Sequence, residues 1–430
     1  MSRQRVSELN EESTKSVSRR NYLQIGVATA GAFGLAGCSG GSSGVSGGGS
    51  DSPVKVGVLS PLSGAWTVYG RAHKRGFELA AQEINANDGI NGRNIEVTVE
   101  DTKTDPKTVT EKTQKVIRQD NVDIIAGTFS SASRNAAAPV ATQEDTPLLY
   151  PTFYEGQDQE NFPGTCNDLS FMFGPVPSQQ AGPWMERMTS EHGNKFYMIG
   201  SDYVWPQVTN RRVKSSLESL GGEVVGEEYI PLGTSDFGSP LSRISNSDAD
   251  IVFGTLTGTD TIAFAKQFYN RGLQNEYTYW TVDDEEFATD GKGPQASEGT
   301  YVSFDYFHTI ENEMNSTFVQ KVKDKYGSDA GMNTVGAAMY NAGKMFAKAA
   351  NRIGGVATDD VIEGLEGLSH TGPQGPVKMR KKDHQLVLPS YLVRVNEGWS
   401  NFENMFEILD SKESVTPQMS NCDFPIGTGQ

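Results

Sequence analysis

The chain has 430 residues, 36% of them hydrophobic and 21% charged, with a formal net charge of −17. That length supplies two or three domains with sizeable cores, and a mean hydropathy of −0.47 excludes a polytopic membrane protein. Residues 1–37 carry five basic and three acidic side chains, so the rest of the chain stands at −19, a charge that repels phosphate backbones and excludes nucleic acid as a partner.

The amino terminus reads as an address. Residues 18–23, Ser-Arg-Arg-Asn-Tyr-Leu, resemble a twin-arginine export signal, with Tyr22 where phenylalanine is more usual. The apolar stretch Ile25 to Ala36 is too short and too rich in Gly and Ala to span a bilayer, and it sits where a signal peptide has its hydrophobic region. Leu35-Ala36-Gly37-Cys38 resembles a lipobox, in which Cys38 becomes the lipidated first residue of the mature protein. Residues 38–52 are a Gly/Ser tether. Together these imply export to the outer face of the cytoplasmic membrane, with lipid anchoring through Cys38. Export to an oxidising compartment favours one disulfide between Cys166 and Cys422 over two separate thiols.

From Pro53 onward, strands and helices alternate. Val54 to Leu59 is a buried strand, Gly70 to Asn85 a helix with Phe77, Ala80, Ala81 and Ile84 on one face, and Asn94 to Glu100 a strand. A helix over 108–119, a strand over 122–127, a helix over 131–143 and a strand over 148–150 follow. The alternation restarts with helices over 179–190, 206–220 and 260–272 among strands over 196–200, 222–229, 250–254 and 277–282. Helices over 315–326, 333–352 and 358–368 precede a strand over 390–395 and a loop-rich tail, 411–430. The pattern predicts an α/β protein of two Rossmann-like lobes with parallel sheets, whose strand-end loops face one cleft.

Five histidines occur, none in a metal-ligand spacing, and no phosphate-binding loop is present. The one Gly-x-Ser-x-Gly match, residues 40–44, lies in the tether without a flanking strand or helix. The sequence therefore points to no metal, no cofactor and no catalytic centre.

Residues 56–64, Val-Gly-Val-Leu-Ser-Pro-Leu-Ser-Gly, with Tyr69-Gly70 and residues 89–93, Gly-Ile-Asn-Gly-Arg, resemble the opening of the branched-chain amino-acid type of periplasmic binding protein. Residues 150–156 (Tyr-Pro-Thr-Phe-Tyr-Glu-Gly), 200–206 (Gly-Ser-Asp-Tyr-Val-Trp-Pro), 226–233 and 372–377 resemble the subfamily that binds urea and short-chain amides. The resemblance covers nearly all of 53–400. It implies a receptor of an ABC importer, not an enzyme, that captures urea or a short amide by lobe closure and delivers it to ABC permease subunits in the membrane. Three segments, near 174–178, 304–308 and 371–376, would cross between lobe 1 (53–175 plus 307–372) and lobe 2 (176–305 plus 373–410).

By the same resemblance, Ser131 offers a hydroxyl and a helix N-terminal N–H to a ligand carbonyl, with Ser130 beside it. Tyr150 and Thr152 add hydroxyls, and Tyr203 and Trp205 close over the ligand as an aromatic lid. Phe129 stands where the family has a tyrosine, which removes one hydroxyl. Several of these residues fit plainer roles too: Tyr150 and Phe129 as core aromatics, Ser130 and Ser131 as a helix cap. The run Asp283-Asp284-Glu285-Glu286 reads first as a solvated loop, although Asp283 or a neighbour would serve an amino-acid ammonium. An amino acid, branched-chain or other, is thus the alternative ligand. A cytoplasmic sensor conflicts with the export signal, and an exported amidase has no placed nucleophile.

Overall fold

A computed structural model describes residues 52–64, 66–156 and 166–419. The signal segment, Cys38, the tether up to residue 51 and Cys422 lie outside the described residues. Cys166 is disulfide-bonded.

Strands β1 (Val54–Ser60), β2 (Ile95–Asp101), β3 (Ile124–Gly127), β4 (Leu148–Tyr150) and β5 (Ser170–Met172) form one parallel sheet in the order β2-β1-β3-β4-β5. β1, β3 and β4 are buried along almost their whole length, as expected of parallel strands covered on both faces. Helices α1 (Thr67–Asn85), α2 (Pro106–Arg118) and α3 (Ser131–Gln143) make the crossovers. Asp105 caps α2 with Pro106 in its first turn, and Ser130 caps α3 through the amide of Ser133.

The chain then enters a second sheet. Helices α4 (Pro177–Gln180), α5 (Met185–His192), α6 (Val204–Ser219), α7 (Gly238–Ser245), α8 (Thr259–Asn270) and α9 (Glu286–Lys292) alternate with β6 (Lys195–Ser201), β7 (Glu223–Ile230), β8 (Ile251–Thr255), β9 (Thr278–Thr281) and β10 (Tyr301–Phe304). These five strands are parallel, in the order β7-β6-β8-β9-β10.

Helices α10 (Glu313–Tyr326), α11 (Thr334–Ile353) and α12 (Thr358–Leu365) return to the first sheet, where α11 packs along α1. The approach is close: a Cβ placed on Gly76 of α1 would lie 2.1 Å from the Gly336 carbonyl oxygen. The hairpin β11 (Ser369–Gly372) and β12 (Gly375–Met379) leads to the long strands β13 (Leu386–Val395) and β14 (Phe406–Val415), all antiparallel on the free edge of the second sheet.

The architecture is the expected pair of α/β units, with two differences at the carboxyl end. β11 joins the second sheet, although residues 369–372 were expected in lobe 1. Residues 411–415, expected in a tail, continue β14 against β13. β14 is mostly exposed and polar, so no apolar alternation announces it; pairing to β13 holds it.

Candidate functional site

Every expected site residue lies at or just beyond the carboxyl end of a parallel strand, Tyr150 being the last residue of β4, where an open α/β sheet presents its binding loops. From the first sheet come Thr128, Phe129 and Ser130 after β3, and Thr152, Phe153 and Glu155 after β4. From the second come Tyr203 and Trp205 after β6, Asp283 after β9, and Asp305 after β10. The two sets meet: the Phe153 ring stands edge-on to Trp205 at 5.0 Å and to Phe304 at 5.3 Å between centroids.

The hydroxyls of Ser130, Ser131, Tyr150 and Thr152, expected to meet the ligand, have partners inside the protein. Ser130 caps α3. Ser131 donates to Glu155 Oε2 at 2.6 Å, and Arg134 Nη2 donates to Glu155 Oε1 at 2.6 Å. Tyr150 donates to the Phe129 carbonyl at 2.7 Å, and Thr152 donates to the Thr128 carbonyl at 3.0 Å. Arg134 and Glu155 are both almost wholly buried, and the Tyr150 and Tyr154 rings flank the guanidinium at 5.4 and 4.8 Å. A buried charge pair with these extra partners is a rigid support. It fixes the loops after β3 and β4 and leaves Tyr150 beneath the site, fully buried.

The aromatic residues form the surface above this support. Phe129 stacks on Tyr69 with centroids 4.5 Å apart, lies 5.2 Å from Trp66 and meets Phe153 edge-on at 6.2 Å. His73 packs beside Phe129, and burial lowers its pKa to about 3, so its imidazole is neutral. On the opposing side Tyr203 and Trp205 stand 6.3 Å apart. Tyr203 is half-buried, whereas Trp205 is buried with its indole Nε1 lacking a partner.

The acidic run departs from the expectation of a solvated loop: all four side chains are buried. Three have partners. Asp284 is ion-paired to Lys292 and accepts from Thr261 Oγ1 at 2.8 Å. Glu285 caps α9 through the amides of Phe287 and Ala288; burial raises its pKa to about 7. Glu286 accepts from the His308 amide at 2.6 Å. Asp283 differs, because both carboxylate oxygens are buried and neither has a hydrogen-bond partner. Burial, reinforced by Asp284 and Glu285, holds its pKa far above the usual carboxylate range. Its field reaches across the cleft and helps to raise the pKa of both Tyr69 and Tyr203, whose shifts come first from burial.

Sequence reasoning placed Phe129, Tyr203, Trp205 and Asp283 at the cleft and gave no role to Trp66, Tyr69, Phe153, Arg134 or Glu155. Glu155 was visible within the Tyr-Glu-Gly block. Its link to Arg134, 21 positions away on another element, has no periodic signature.

Two parallel-sheet lobes whose strand-end loops close on an aromatic cleft define a ligand-binding receptor. The chain belongs to the periplasmic binding protein family, whose model matches residues 53–400; it is a binding protein, not an enzyme. It is similar to Leu/Ile/Val-binding protein homolog 6 of Brucella melitensis, 24% identical over 80% of this chain and 87% of that one. Its fold is similar to an ABC transporter substrate-binding protein from Sphaerobacter thermophilus, with TM-score 0.77 and 26% identity over 84% and 98% of the two chains. The amino acid ABC transporter substrate-binding protein from Pseudomonas fluorescens Pf-5 gives TM-score 0.75 and 22% identity over 84% and 96%. Neither the family nor these names extend to urea or amides, so that finer expectation rests on the sequence blocks alone.

Proposed function

We propose that the chain is the extracytoplasmic receptor of an ABC importer, anchored through Cys38, that closes two lobes on a small ligand carrying a protonated nitrogen. The observation that carries the ligand reading is Asp283. A buried carboxyl with both oxygens unpartnered is costly, and a ligand ammonium supplies both the missing hydrogen bonds and the missing charge. An amino acid is the first such ligand, in keeping with the names of the relatives. The permease pair would dock on the closed form, reached by hinge motion between lobe 1 and lobe 2.

A second reading, urea or a short amide, keeps one physical support. Asp283 with a raised pKa is a neutral carboxyl, which donates to an amide oxygen and accepts from an amide N–H.

Titration calorimetry in two buffers of different ionisation enthalpy separates the readings. Leucine, glutamate, urea and acetamide are the ligands. An ammonium needs Asp283 ionised, so its capture at neutral pH releases about one proton, and affinity rises with pH. A neutral amide leaves the carboxyl protonated and releases none. Binding of urea or acetamide alone, without proton release, would sink the ammonium reading.

A further inference from the structure

The two peptide groups that meet at His308 are held from opposite sides of the molecule. The His308 N–H donates to Glu286 Oε1 at 2.6 Å. Glu286 begins α9, which packs on α8 beside the second sheet. The His308 carbonyl accepts from Asn315 Nδ2 at 2.9 Å, and the same nitrogen grips the Ile310 carbonyl at 2.8 Å. Asn315 stands on α10, which is tied to the first-sheet helices. Phe318 of α10 meets the Tyr340 ring of α11 at 4.7 Å, and Lys321 is ion-paired to Glu83 of α1 at 3.0 Å. Glu286 and Asn315 are both buried, which leaves their side chains little freedom to reorient.

A peptide unit is planar, so the chain bends only at φ and ψ. The unit that ends in the His308 N–H is anchored beside the second sheet. The unit that begins with the His308 carbonyl is anchored beside the first. A change of lobe angle along this crossing keeps both anchors when φ and ψ of His308 absorb it. The other links at this crossing are between side chains, which follow by their own torsions: Thr334 Oγ1 donates to Asp305 Oδ1 at 2.6 Å, and Tyr306 meets Phe318 edge-on at 6.2 Å. A groove of about 740 Å³ between Arg75 and Tyr326 on one side and Phe287 and Asp290 on the other gives the motion room. Glu286 also lies three residues beyond Asp283 in one turn, which the Glu285 N–H closes by donating to the Asp283 carbonyl at 2.9 Å. The proposed ligand seat and one anchor of the crossing thus belong to a single rigid piece.

We propose that His308 is the pivot of the crossing near 304–308, with Glu286 and Asn315 as the positioning residues that hold its two peptide planes to opposite lobes. This rests on the reading of the chain as a hinged two-lobe receptor, and it names the residues that set the hinge.

The test is small-angle X-ray scattering and single-residue hydrogen exchange on the ligand-free full chain. The wild-type His308 amide should be protected. Glu286→Leu should enlarge the radius of gyration and speed exchange of that amide by about tenfold or more, whereas Glu286→Gln, whose side-chain oxygen still accepts, should change neither. Asn315→Leu frees the other plane. It should enlarge the radius of gyration and leave the His308 amide protected, which a general loosening of the fold would not do. Trp205→Ala, which releases the cleft contact, is the control for lobe opening. If it enlarges the radius and either folded leucine variant does not, the pivot is overturned and the hinged receptor stands. If none of the three enlarges it, both fall. An unprotected His308 amide in the wild type overturns the pivot by itself, whether or not the variants fold.

Discussion

At the scale of single residues, the protein holds the Asp283 carboxyl against its preference. Asp283 is buried without a partner, and its carboxyl titrates far above the unfolded value. Asp284, Glu285 and Asp260 push in that direction and Lys292 opposes them. Above the unfolded pKa the unfolded chain has lost this proton while the folded chain keeps it, so the group makes stability fall as pH rises toward the folded pKa. Asp283→Asn should therefore stabilise the ligand-free protein at neutral and alkaline pH, by on the order of 1–3 kcal/mol, and make no difference near pH 3. Chemical denaturation of both proteins across pH measures this; equal stability at pH 8 would show that the carboxyl finds a partner in solution. Asp284 shows the opposite case. Among the described residues its ion-pair partner is Lys292, itself buried. Lys292→Met should cost about 3–5 kcal/mol, and adding Asp284→Leu should recover most of it, because breaking a buried pair costs more than replacing it. A double variant no more stable than the single would reject that account.

At the scale of elements, the contact between α1 and α11 shows how small residues set geometry. The Gly76–Gly336 approach leaves no room for a methyl group. Gly76→Ala should lower stability by about 1–3 kcal/mol despite the higher helix propensity of alanine, since it forces two buried helices apart. A thermal melt at or above the wild-type midpoint would show that the helices separate freely. The N-terminus of α11 is fixed by Asn333, buried, whose side chain accepts from the Gly336 amide at 3.1 Å. Much of the element pattern was legible from apolar periodicity: α1, α3, β4 and α11 fall within a few residues of their expected bounds. β5, α7, α9, β10, the β11–β12 hairpin and β14 were not, because they are short or polar and exist through pairing and packing rather than through their own period.

At the scale of the whole molecule, charge and hinge motion matter most. A body with a net charge of −19 beyond residue 37 repels itself at low ionic strength, where screening reaches only beyond about 30 Å at 0.01 M salt. Its melting temperature should rise as potassium chloride is raised from about 0.01 M to 1 M, over which range the screening length falls to about 3 Å. A flat or falling midpoint would mean that its ion pairs outweigh the net repulsion. The aromatic contact between Phe153 and Trp205 bridges the lobes. Trp205→Ala should favour the open arrangement and weaken ligand binding, read as a larger radius of gyration by X-ray scattering with ligand present.

The alternation of strands and helices, the acidic balance and the motif blocks were determined by the sequence alone, because each is a local pattern or a sum over residues. So was the placement of Phe129, Tyr203, Trp205 and Asp283 after parallel strands, since chain direction sets which end of a strand meets the cleft. Partnership was decided only in three dimensions. Whether Ser131 meets a ligand or Glu155, and whether an acidic run is solvated or buried, depends on elements far apart in the chain. Four consecutive acids look alike in sequence, yet Lys292, the α9 amides and the His308 amide each give a partner to one of three of them, and both oxygens of Asp283 are left without one. Burial makes that difference large, because a polar group cut off from water must find its partner within the fold or in a ligand.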